Sequence, residues 1–349
     1  MKTNKLGIIL VSLLLFACFL FLVYGCGSSS SSGGSNVPQP PGILYAASNF
    51  YDCIMVFDNA NTIEGTVMPD RIISGPATSI DGPRVNGLFI DTVNDRLYVS
   101  CGNTNTILVF ENASTLEGNK APSRSIGSAA ITSPYGIFVR GDRLYLTNGN
   151  PEHNILVFDP GANGSNVAPL ARLTCEAMYY PYDVYVDASD AMYVAFASTV
   201  ESIALPTMSR QINVFNNVTS LAGTIEISAD RIIYSNGLYY YPAGVWVDEA
   251  SNKMFVTVRE GPKIAVFNNA NTKNGICVPD ATCSSGISVP MSVAYNGIRD
   301  IIYTAHDNSQ HIINAWDNAG AITDRSPDRT VSPEVFAKNI ISIAVDPTR

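Results

Sequence analysis

The sequence predicts an all-β fold: a six-bladed β-propeller, its ring closed by the C-terminal strand completing the N-terminal blade. Three observations carry this. An aliphatic residue followed by an aromatic recurs six times, at Leu44-Tyr45, Leu97-Tyr98, Leu144-Tyr145, Met192-Tyr193, Met254-Phe255 and Ile302-Tyr303. A further aromatic recurs six times in a Val-Phe-Asp-Asn-Ala run or a variant of it, at Phe57, Phe110, Phe158, Phe215, Phe267 and Trp316. The ends of the chain hold complementary pieces of the repeat: the first copy, from Ile43, lacks its opening strand, and Ile340 to Asp346 is an opening strand with nothing after it. The period of about fifty residues suits a four-stranded propeller blade, and closure removes the sheet edges that would otherwise pair with other chains.

Each repeat reads as short strands of β-branched and aromatic residues separated by Gly, Asp and Asn. The opening strands are Gly87 to Asp91, Gly136 to Arg140, Asp183 to Asp187, Gly244 to Asp248, Ser292 to Asn296 and Ser342 to Asp346. One aromatic per blade at a fixed position is expected to be core between blades. Asp91, Asp187, Asp248 and Asp346 precede the first hairpin turn, where a carboxylate accepts backbone N–H bonds. Arg71, Arg124, Arg172, Arg231 and Arg329 open the outermost strands and are expected to pair with acids that end the third strands, such as Asp58, Glu111 and Asp317.

At the N-terminus, a short basic stretch (Met1 to Lys5) precedes the apolar run Leu6 to Val23 and then Tyr24-Gly25-Cys26. This is the layout of an export leader. Leu22-Val23-Tyr24-Gly25-Cys26 resembles a bacterial lipoprotein signal, which implies a leader over 1–25, lipidation of Cys26 and an anchor in the cell envelope. In that resemblance Gly27, where inner-membrane retention favours Asp, points to the outer membrane. Residues 26–42 are Ser, Gly and Pro and read as a flexible tether. Residues 43–349 form the propeller domain.

The net charge is −9 and no basic stripe exists, which excludes nucleic acid as a partner. Of the seven cysteines, Cys18 and Cys26 fall in the leader region. Cys277 and Cys283 sit in the fifth repeat, and in an oxidising envelope they are expected to form a disulfide.

In a propeller the loops entering each first strand, and those joining the second strand to the third, gather on one face around the axial channel. The entering loops carry Tyr135, Tyr179, Tyr180, Tyr182, Tyr239, Tyr240, Tyr241 and Met291. The joining loop Ser198 to Ser209 is the longest of its kind. The tyrosines thus crowd the third, fourth and fifth blades. Tyr135, Tyr180, Tyr182, Asp183, Tyr241 and His306 are the expected binding residues, with Tyr182 and Tyr241 as anchors, because tyrosine offers rigid contact area with a polar tip. The expected partner is an envelope protein, peptide or glycan, and no cofactor is expected. A different reading is an enzyme: Asp183 with Asn86 and His306 would hold a calcium or other metal ion at the channel. His153 lies across the ring from His306 and His311, and no cysteine or carboxylate follows a metal-ligand spacing.

Pro134-Tyr-Gly-Ile-Phe-Val, with Asp142-Arg-Leu-Tyr-Leu and Asn154-Ile-Leu-Val-Phe, resembles an NHL-type repeat of the TolB-like six-bladed group. The resemblance spans Ile43 to Arg349. It implies the propeller fold and, among relatives, either binding and scaffold roles or metal-dependent lactonase and amidating-lyase activities. Those enzymes place several carboxylates, Asn or His on the inner rim, where this chain has Asp183 and scattered histidines.

Overall fold

The computed structural model of the chain describes residues 39–80, 84–175, 180–197, 210–235, 241–307, 311–335 and 338–349. The leader, Cys26, Tyr179, Tyr239, Tyr240 and the joining segment 198–209 lie outside the described residues. Pro40–Arg349 is one compact unit. Among the described residues helix is confined to short 3-10 turns, and no helix is long and apolar enough to cross a membrane.

Six antiparallel sheets form the blades. Blade 2 is Val85–Asp91, Arg96–Cys101, Thr106–Glu111 and Arg124–Gly127, written from the channel outwards. Blade 3 is Pro134–Arg140, Arg143–Asn148, Asn154–Phe158 and Ala171–Thr174. Blade 4 is Pro181–Val186, Ala191–Ala197, Arg210–Asn216 and Arg231–Tyr234. Blade 5 is Pro242–Asp248, Lys253–Val258, Lys263–Asn268 and Ala281–Cys283. Blade 6 is Pro290–Asn296, Ile301–His306, Ile313–Asp317 and Arg329–Pro333. Blade 1 is shared between the chain ends: Ile340–Asp346 is its inner strand, beside Ile43–Ser48, Cys53–Phe57 and Arg71–Ser74. The closing pair runs antiparallel, with Leu44 opposite Val345 and Ala46 opposite Ile343. Beyond the pair, the Gly42 N–H donates to the Arg349 carbonyl at 2.8 Å. The split repeat therefore closes the ring as the sequence predicts.

The apolar core lies in the seams between blades. Separate clusters fill the seams between blades 1 and 2, 2 and 3, 5 and 6, and 6 and 1, and one larger cluster runs from blade 3 through blade 4 to blade 5. All twelve recurring second- and third-strand aromatics are buried in these seams. The Asp residues before the first hairpins cap their turns: Asp91 accepts from the N–H of Val93 and Asn94, Asp187 from those of Ser189 and Ala191, and Asp346 from that of Thr348.

The arginines do more than pair within their blades. Arg71 binds Asp58 and also donates to the Leu116 carbonyl of blade 2 at 2.8 Å. Arg124 binds Glu111 at 2.8 Å and reaches the Pro160 carbonyl in blade 3. Arg329 binds Asp317 at 2.6 Å. Arg172 departs from the expected pattern and pairs with Glu152 at 3.3 Å. Arg231 uses carbonyls instead, those of Ala270 at 2.7 Å and Lys273 at 3.1 Å in blade 5. A planar guanidinium with five donors can serve its own acid and a neighbouring carbonyl at once.

The segment before each outermost strand also crosses to the preceding blade. Gly223–Glu226 adds a parallel fifth strand to blade 3, Gly275–Ile276 to blade 4 and Gly65–Val67 to blade 6. This outer-rim pairing overturns the Cys277–Cys283 expectation. Both thiols are free. Cys283 lies in the outermost strand of blade 5, whereas Cys277 follows the segment paired to blade 4 and its N–H donates to the Tyr234 carbonyl there.

Candidate functional site

Every inner strand carries a bulge at its second residue, so that Pro181 and Asp183, for example, face successive residues of the next strand and Tyr182 is extra. A bulge re-aims the extra side chain. The six bulge residues, Asn86, Tyr135, Tyr182, Ala243, Met291 and Ile341, stand around the upper mouth of the channel, and all six line a central cavity of about 1020 Å³. The residue after the bulge faces the inner strand of the following blade. It is Gly87, Gly136, Asp183, Gly244, Ser292 and Ser342 around the ring. The approach is close: a Cβ at Gly87 would sit 2.3 Å from the Tyr135 carbonyl oxygen, and one at Gly136 would sit 2.6 Å from Asp183 Oδ1. Where the residue is serine it accepts from the next blade: Leu88 N–H donates to Ser342 Oγ at 2.9 Å and Ile343 N–H to Ser292 Oγ at 3.3 Å.

Asp183 is the charged member of this Gly/Ser ring. Its Oδ2 accepts from the Val245 N–H of blade 5 at 3.0 Å and its Oδ1 from its own neighbour Val184 at 3.0 Å. Burial pushes its carboxyl up to about 7, against the pull of those two N–H bonds. The side chain retains a little exposed surface because it borders the cavity, so its desolvation is incomplete.

Above Asp183, the Tyr135 and Tyr182 rings meet at 5.0 Å between centroids. Burial raises the Tyr182 phenol above the usual range, with Tyr135 adding to it and Arg259 opposing. Arg259 in turn faces Asp307 at 3.6 Å. Below Asp183, the fifth residues of four successive inner strands are aromatic: Phe89, Phe138, Tyr185 and Trp246. Their centroids follow one another at 4.9, 4.7 and 5.2 Å. Blades 6 and 1 have Ala294 and Ala344 at this position, so the run of adjoining aromatics covers blades 2 to 5 only. At the lower mouth Glu249 accepts from Tyr185 Oη at 2.7 Å and pairs with Arg140. The sequence reading passed over this aromatic wall and the bulge ring. An alignment of the opening strands shows the aromatic positions, whereas the bulges follow only from how each strand pairs.

The remaining expected residues fall elsewhere. Tyr180 and Tyr241 precede the inner strands at positive φ, 46° and 60°, and neither lines the cavity. Tyr180 N–H donates to His153 Nδ1 at 3.2 Å and its ring packs against that imidazole. The Tyr241 carbonyl accepts from Arg259 N–H at 2.8 Å. His306 is a correction: it is wholly buried at the end of the second strand of blade 6 and does not reach the channel. Its Nδ1–H donates to the Ser288 carbonyl at 2.8 Å while Nε2 accepts from Thr304 at 2.7 Å, the pattern of a neutral imidazole. Burial pushes its pKa down to about 4. His311 accepts from the Asn339 N–H at 3.1 Å, as His153 does from Tyr180. These two histidines tie a joining loop to the entry of the next blade. Asn86, the other residue of the metal reading, donates to the Pro134 carbonyl at 2.6 Å. Among the described residues no three His, Cys, Asp or Glu side chains are grouped to hold a metal ion.

No protein-family model matches the chain, and a search of the curated proteins found no match. Solved structures do match. A chain in the crystal structure of a nidogen/laminin complex superposes with a TM-score of 0.58 at 15% identity, covering 87% of this chain and 97% of that one. At that identity the likeness concerns the fold, and it agrees with the six-bladed ring built by the residues above.

Proposed function

We propose that this chain is an envelope-anchored propeller lipoprotein of the NHL-like kind, a binding or scaffold module that holds a protein, peptide or glycan at its channel face. The observation that carries the reading is the packed Tyr135–Tyr182 ring pair at the mouth of a cavity of about 1020 Å³, with Arg259 and Asp307 beside it. Half-buried aromatics with a charged neighbour at the rim of a concave surface are the residue types that dominate binding energy at interfaces. The leader-like run ending at Cys26 supports the anchor, and the tether after it would hold the ring away from the membrane. The hydrolase or lyase reading loses His306 to the fold, because burial and two structural bonds occupy both of its ring nitrogens.

The test is capture of envelope components by purified protein, compared between wild type, Tyr182→Ala and Tyr241→Ala. Tyr182→Ala is expected to weaken capture by about 2 kcal/mol or more, as truncation of a buried aromatic anchor does. Tyr241→Ala, off the cavity wall, is expected to have the smaller effect. Equal capture by wild type and Tyr182→Ala would remove the site from this mouth.

A further inference from the structure

Five carboxylates line the channel, and four of them are accounted for. Glu249 pairs with Arg140, and Asp307 faces Arg259 at 3.6 Å. Asp91 and Asp248 cap their own hairpins at the lower mouth. Asp183 is different. It lies within the wall rather than at a mouth, it accepts two backbone N–H bonds, and none of the ion pairs among the described residues includes it. Equivalent positions in the other blades are Gly or Ser, and Ser292 and Ser342 make the same inter-blade bond without a charge. A carboxylate is therefore not needed to hold the seam together.

Its surroundings are aromatic on both sides. Tyr182 precedes it in the strand, its ring inclined at 37° against that of Tyr135. Tyr185 follows two residues on, and Trp246 adjoins Val245, whose N–H the carboxylate accepts, with the Tyr185 and Trp246 rings 5.2 Å apart. The faces of Tyr, Trp and Phe attract cations through the ring quadrupole, most strongly when desolvated. A cation placed here would gain the rings and neutralise a carboxylate whose burial otherwise opposes its charge. The cavity, about 1020 Å³ and lined on the blade 1 side by Ala344, leaves room for an organic body rather than a bare ion.

We infer that the channel takes a small organic ammonium ion with an apolar or aromatic body, its nitrogen at Asp183 and its body along the Phe138–Tyr185–Trp246 wall. The inference rests on the channel being the binding surface, as proposed above, and names the chemistry it selects.

The experiment is calorimetric titration of the folded protein with 2-phenylethylammonium, with 3-phenylpropanoate as the anion of similar shape and calcium as the competing cation. Asp183→Ser is the informative variant, because serine already serves this position in two blades; its folding is checked by its melting curve. Asp183→Asn is the second variant, should serine loosen the seam. The ammonium ion is expected to bind in the millimolar range or tighter, and the anion at least about tenfold more weakly. Either substitution at Asp183 is expected to cost at least about tenfold in ammonium affinity, as loss of one partner in a desolvated charge pair does. Trp246→Leu is expected to weaken it less, by about fivefold. Equal binding of ammonium and carboxylate, undiminished binding in folded Asp183 variants, or no ammonium binding at all overturns the inference. So does stoichiometric calcium binding that disappears with Asp183. Ammonium binding without loss of captured envelope components in Tyr182→Ala would keep this inference and sink the scaffold reading; capture without ammonium binding would do the reverse.

Discussion

Asp183 and His306 carry opposite electrostatic loads, and their pH signs separate them. Burial lowers His306 from an ordinary 6.5 to about 4, so between those values the unfolded chain holds a proton that the folded one refuses. Its contribution is fully present above about pH 6.5 and is lost as pH falls toward 4. Asp183 is raised from 3.8 to about 7, so over that range the folded chain holds the extra proton, and stability falls as pH rises toward 7. The two slopes partly cancel in the wild type. Relative to wild type, Asp183→Asn should therefore gain stability from pH 4 to pH 7, by about 2 kcal/mol after discounting for the solvent at the cavity wall. His306→Gln should show a shallower loss between pH 6.5 and 4, by roughly 2–3 kcal/mol. Denaturant melts of the three proteins at several pH values check both signs. An Asp183→Asn difference that shrinks as pH rises would refute the assignment of an uncompensated carboxylate in the wall.

At the scale of the strand, the inner bulge and the outer-rim crossing do the specific work. The bulge sets which side chain meets the channel, and this is why Tyr182 lines it and Tyr241 does not. Sequence periodicity located the strands and the seam aromatics, since those follow from local alternation and a repeating pattern. It could not give the register, because a bulge is fixed by how two strands pair rather than by either alone. The aromatic wall was legible in principle as the fifth residue of each opening strand. Its meaning appears only when the blades are placed in a ring, where Phe89, Phe138, Tyr185 and Trp246 become neighbours. The disulfide expectation failed for a similar reason: alignment put Cys277 beside Cys283 in sequence, but parallel pairing carried its segment to another blade. His306 ends the second strand of blade 6, where burial and two bonds remove it from the face. The arginine clamps give a prediction at this scale. Arg71→Lys keeps the charge but loses the planar fork that serves Asp58 and the Leu116 carbonyl together. It should cost about 1–2 kcal/mol in a denaturant melt, more than Arg→Lys at an exposed pair. A change within error would show that the clamp contributes nothing to the seam.

For the whole molecule, stability is distributed over seams rather than gathered in one core. A ring of this kind has no blade that can be lost without exposing two of them. Blade 1 is the vulnerable one, because its inner strand arrives from the far end of the chain. That strand also forms one side of the cavity, through Ile341, Ser342, Ile343 and Ala344, so the cavity exists only when the ring is closed. The most direct measurement is thermal and denaturant unfolding of the chain ending at Asn339. Removing Ile340–Asp346 withdraws Ile340, Ile343, Ala344 and Val345 from buried positions together with the hydrogen bonds of the closing pair. The loss should amount to on the order of 5 kcal/mol or more, comparable with the net stability of a whole domain. The account predicts that the truncated protein shows no cooperative transition at the wild-type midpoint. A truncated chain that unfolds cooperatively at that midpoint would contradict the closed ring on which the channel and its site depend.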